Sequence, residues 1–182
     1  MDILLIIHIL AMVLGLGGAT YVDMLTFFFA KDFHISAKEA SVIRFMSKVI
    51  FIAVFAALLT GIGLFMQDPV SYTSQPRFIL KLVAFAVVFV NGIFLHHVIL
   101  PKLVNFSLKQ DRLIGGGHIS LRRIAFASGA VSFVSWYTVF LVAMIKVIPF
   151  NITELIGGYL IVMLAAVNIA LFIERFYEKW IR

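Results

Sequence analysis

Apolar residues in this chain neither alternate nor recur at helical spacing against a polar background; they run on without interruption. Five stretches contain no Asp, Glu, Lys or Arg: Ile3–Val22, Val49–Gln67, Leu82–Pro101, Ile124–Ile145 and Leu155–Ile173, each 19 to 22 residues long. A helix rises ~1.5 Å per residue and the hydrocarbon core is about 30 Å thick, so each stretch can cross a bilayer once. Lipid offers backbone groups no hydrogen-bond partners, and barrel strands would need an alternation that these runs lack. The expected fold is therefore all-α: an integral membrane bundle of five transmembrane helices in a single domain over residues 1–182, with spans at about 3–28, 46–67, 78–101, 123–147 and 153–175.

Composition agrees with that pattern. Of the 182 residues, 63% are apolar and 13% charged, against roughly 45–50% and about 25% in soluble domains. A soluble globular fold is excluded, and the first partner is the lipid bilayer. With no Cys, disulfides, thiolate metal sites and thiol nucleophiles are excluded by counting. The net charge of +6 comes from basic residues lying between apolar runs, so no nucleic acid partner is expected. The first run follows Met1-Asp2, with no basic segment before it, and is too long for a signal peptide; it is read as a permanent helix.

Charge placement sets the orientation. One side carries three basic residues (Arg77, Lys81, Lys146) and the other the remaining twelve, among them Lys38, Arg44, Lys102, Arg122, Arg123 and Arg175. The positive-inside rule puts the twelve in the cytoplasm, with the N-terminus outside and the C-terminus cytoplasmic, which implies a multi-pass protein of the inner (plasma) membrane. Ser36 followed by Glu39 is a capping box that should open the second helix ahead of the membrane. Pro69, Pro76, Pro101 and Pro149 fall at or beyond span ends, and Gly115–Gly117 reads as a linker rather than a phosphate loop.

A polar group at membrane depth is costly and is a functional candidate by default. His8, Asn91, His96, His97 and Asn168 meet that condition, with Asp23, Lys48, Lys81, Lys146 and Glu154 at span edges. His8 lies ~8 Å below the outer boundary of the first span. Met12, Gly15 and Ala19 follow on the same face, a small-residue groove suited to a flat macrocycle with iron on the imidazole. The competing meaning is close helix packing at glycine. In the third span Lys81, Phe85, Val88, Gly92 and His96 share a stripe, and neighbouring residues point ~100° apart, so His96 rather than His97 is the candidate ligand, with Gly92 leaving room beside it. His8 and His96 lie at opposite depths and cannot flank one iron. The metal candidates His8 and His96 thus imply haem b in one or two copies, with Lys81, Met12 or an open position opposite His8. His34 and His118 are expected at the surface.

The first span, H-I-L-A-M-V-L-G-L-G-G-A-T-Y from His8, with P-R-F-I-L-K-L-V-A-F in the third, T-G-I-G-L-F in the second and K-V-I-P-F after the fourth, resembles the HemJ and CopD group of small bacterial membrane proteins. The resemblance implies a haem-histidine role for His8 and the matching lysine role for Lys81, with either protoporphyrinogen oxidation or copper uptake as the activity. The chain departs from the group at Val22-Asp23-Met24, where an arginine is expected, and at Ala125–Val131, which lacks an Asn-Glu-x-Pro stretch.

The leading expectation is a b-type haem membrane protein that carries electrons, in which a quinone or a porphyrinogen is the partner and the protein is an oxidoreductase. The alternatives are transport of copper or a small solute past His8 and Met12, and a non-catalytic subunit of a larger membrane complex or homo-oligomer.

Overall fold

The computed structural model describes residues 3–29, 36–102, 116–145 and 149–180. Side chains are described for 3–25, 36–102, 121–145 and 149–176, so His34, Lys146 and the His118 side chain lie outside the described residues. The described chain is helical: α1 Ile3–Phe29, α2 Ala37–Gln67, α3 Pro69–Thr73, α4 Pro76–Phe94 continuing through a π-helical turn at Leu95–Ile99, α5 Gly116–Met144 and α6 Ile152–Trp180. Five of these are long and apolar enough to cross a membrane, and the short α3 lies between the second and third. The protein is a multi-pass membrane protein with an all-α fold.

Helix boundaries follow local chemistry. At the start of α2 the Ser36 N–H donates to Glu39 Oε2 (2.7 Å) and the Glu39 N–H to Ser36 Oγ (3.3 Å), closing the expected capping box. A second box, not read from the sequence, opens α6: the Asn151 N–H donates to Glu154 Oε2 (2.9 Å) and the Glu154 N–H to Asn151 Oδ1 (3.0 Å). The charge of Glu154 therefore satisfies a helix terminus. Pro69 and Pro76 sit in the first turns of α3 and α4, where a missing N–H costs nothing.

One expectation needs correction: the linker reading of Gly115–Gly117 fails at Gly116 and Gly117, which begin α5. Pro101 lies at the end of the third span as expected, with helical geometry running through it to Lys102. Proline cannot donate to the carbonyl four residues back and its ring crowds that carbonyl. The turn before it is widened, with the Leu100 N–H reaching the Leu95 carbonyl five residues back, which accommodates the ring without breaking the helix.

Helix α5 is the hub, packing on α4 and α6 and more lightly on α1, while α1 and α2 form an extensive pair. One apolar cluster joins Leu80 and Ala84 of α4, Val134, Val139 and Val142 of α5 and Tyr159 of α6; another joins Ala19, Val54, Val88 and Trp136 from four different helices. Outward faces such as Leu160, Ile161, Leu164 and Phe172 are exposed, as lipid contact requires.

Hydroxyl groups tie the helices through one repeated device. Ser135 Oγ donates to the Val131 carbonyl (2.6 Å), so the Tyr159 hydroxyl donates to Ser135 across the helix interface (2.8 Å). Asn91 Nδ2 donates to the Ser128 carbonyl (2.9 Å), binding α4 to α5. Near the opposite ends of α5 and α6, Glu174 is fully buried and forms an ion pair with Arg122, with Arg123 Nε 3.4 Å from its other oxygen.

Candidate functional site

His8 is held by α2. Thr60 Oγ1 donates to the Ala56 carbonyl at 2.6 Å, which uses its only proton. The 2.9 Å contact between His8 Nδ1 and Thr60 Oγ1 must then run from an Nδ1–H to the hydroxyl oxygen. A neutral imidazole in that tautomer presents its lone pair on Nε2. Gly61 makes the approach feasible, because a Cβ there would lie 3.3 Å from His8 Cε1. Sequence reading singled out His8 and missed Thr60 and Gly61, although T-G within an apolar run is the available signal.

The groove expected beneath His8 has another occupant. A Cβ added at Gly15 would collide with the Trp136 indole, so α5 fills the notch. Met12 packs into both main apolar clusters, and Ala19 is buried. Gly15 thus serves close packing of α1 on α5, and Met12 extends the core.

Lys81 lies at the same end of the bundle as His8 and interacts with it electrostatically. It also lines a polar cleft with Leu64, Asp68, Tyr72 and Arg77, roofed by α3. Phe65, Tyr72 and Phe78 stack beside this cleft, with Phe65 and Phe78 5.6 Å apart and 6° from parallel. Arg77 is committed elsewhere: its Nη1 donates to the Ile145 carbonyl at the end of α5 (3.0 Å) and its Nε to Gln75 (2.6 Å).

At the other end, His96 and His97 both lie in the π-helical turn, rings 5.0 Å apart and edge to face. His97 is exposed, whereas His96 lines a cavity of about 150 Å³ and its Nδ1 is buried without a hydrogen-bond partner among the described residues. Gly92 also lines this cavity, and a Cβ there would meet nothing within 4 Å. α1, α2, α4 and α5 contribute the walls, and Asp23, Ser47 and Ser132 are the other polar residues on them. Sequence reading placed Asp23 at a span edge and did not foresee its return to a shared chamber with His96.

The structure therefore separates the candidates into two groups: His8 with Lys81 near the start of α1, and His96 with Gly92 at the opposite end. No three His, Asp or Glu side chains among the described residues are grouped so as to hold a metal ion by themselves. Asn168 donates to the Leu164 carbonyl of its own helix (2.7 Å) on an exposed face of α6. No family model, curated protein or solved structure matches the chain.

Proposed function

We propose that the protein binds haem b through His8 and carries electrons within the plasma membrane, with the N-terminus outside. The observation that carries this reading is the threonine-anchored imidazole. A ligating histidine is normally oriented by a hydrogen bond from its other ring nitrogen, and Thr60 accepts that bond from His8 Nδ1. The donor atom thus fits iron, while Trp136 closes the Gly15 groove, so a porphyrin on His8 would have to lie against a different face. Among the described residues Lys81 is the cation that interacts with His8, suited to a propionate or to a ligand position. Bound haem would supply a one-electron couple, with the apolar helices setting its dielectric surroundings.

Copper transport has less support, because the Met12 thioether that would partner His8 is packed into the core. The test is the absorption spectrum of protein purified from haem-replete cells. A haem b spectrum is expected, lost in His8→Ala. Thr60→Val, which removes the acceptor for Nδ1, should retain the spectrum but weaken haem affinity by about 10- to 100-fold. His96→Ala separates one haem from two: halved haem content indicates a second centre at His96, and unchanged content a single one at His8. A colourless wild-type protein overturns the proposal.

A further inference from the structure

The chamber beside His96 has a size, a depth and a polar end that together specify a class of ligand. Its volume of about 150 Å³ is comparable to the engineered apolar cavity that accepts benzene, enough for one six-membered ring. Apolar side chains form most of its wall, including Val54, Val88, Phe89 and Trp136. Asp23 and His96 each follow the start of their helices by 20 residues, or ~30 Å of rise, which sets both near the same membrane boundary.

His96 lines the chamber, and its imidazole, with one donor and one acceptor nitrogen when neutral, can serve either a carbonyl or a hydroxyl. Asp23 adds a carboxyl group with no ion pair among the described residues. An acyl chain would use neither group. A ring bearing oxygen atoms that interconvert between carbonyl and hydroxyl would use both.

Access is from lipid. The lining includes Phe51 of α2 and Ile93 of α4, which are 45% and 37% exposed. Phe51 and Ile93 thus carry the chamber wall to the lipid-facing surface, where a ring can enter while its hydrocarbon tail stays in the bilayer.

We propose that this chamber binds the head group of a membrane quinone or its quinol, with the His96 imidazole hydrogen-bonded to one ring oxygen and Asp23 at the same polar end. The assignment deepens the electron-carrier reading by naming its partner class, but the binding itself does not require haem.

Trp136 lines the chamber and reports on its contents, since a quinone ring in contact with an indole quenches its fluorescence. Trp180→Phe removes the other tryptophan and leaves Trp136 as the only one. In nanodiscs of fixed lipid composition, titration of this variant with a decyl-substituted ubiquinone should give saturable quenching. Gly92→Leu, which puts a side chain into space now open, should weaken binding at least about tenfold by volume exclusion. His96→Leu should weaken it about three- to tenfold through the lost hydrogen bond. Both variants are compared as monodisperse protein of unchanged helicity. Quenching that rises linearly without saturation, or saturates equally in Gly92→Leu, overturns the proposal, as does equal displacement by palmitate, which would identify an acyl-chain slot. A colourless protein with saturable, His96-dependent quenching rejects the haem reading and keeps the quinone site. A haem-loaded protein without saturable quenching rejects the quinone site alone.

Discussion

Glu174 closes the fifth apolar run in the sequence and looks like the first residue back in water. Instead it is fully buried, held by Arg122 and Arg123 from α5. The pair is sequestered at both ends, with Arg122 only 7% exposed. Removing one member of a buried pair leaves the other charge uncompensated, which costs about 3–5 kcal/mol, whereas exposed pairs are worth under about 1. Glu174→Ala should therefore lower the thermal unfolding midpoint in detergent sharply, and Arg122→Ala should do the same. Arg123→Ala, at the 45% exposed partner, should change it little. Equal midpoints for all three variants would mean that the pair does not hold α6 to α5.

Among the helices, glycine has two opposite uses in this protein, and the sequence does not distinguish them. Gly15 lies against the Trp136 indole, so α1 and α5 approach closely there, as small residues permit in membrane bundles. Gly17, two residues on, has nothing within 4 Å of an added Cβ. Gly15→Ala should destabilise by about 1–3 kcal/mol through overpacking and shift Trp136 emission as the indole is displaced. Gly17→Ala should leave both unchanged, or raise stability slightly through helix propensity. A Gly15→Ala protein with native emission and melting temperature would show that the notch is not needed.

Across the whole molecule, the two candidate centres lie toward opposite faces of the membrane, so orientation determines which compartment each serves. The chain contains no Cys, which makes single-cysteine labelling free of background. With the N-terminus outside, Ser74→Cys, on the exposed segment after α3, should react with a membrane-impermeant maleimide in intact cells. Lys38→Cys, exposed in the first turn of α2, should react only after permeabilisation. The reverse pattern would turn His8 toward the cytoplasm and the His96 chamber outward.

The sequence by itself determined the number of spans, because an uncharged run of 19 residues or more has no stable setting other than a helix in lipid. It also determined the cap at Ser36, a bond between residues three apart. What it left open was how each helix is rotated about its axis. In water an amphipathic stripe marks the buried face; in lipid both faces are apolar and packing alone decides. The contacts that matter here join distant positions: His8 to Thr60 of α2, Trp136 of α5 to Gly15 of α1, Glu174 of α6 to Arg122 of α5. Tertiary structure alone decided that the groove under His8 is filled and that Asp23 and His96 share a chamber, because both outcomes depend on side chains from helices whose rotation no local pattern encodes.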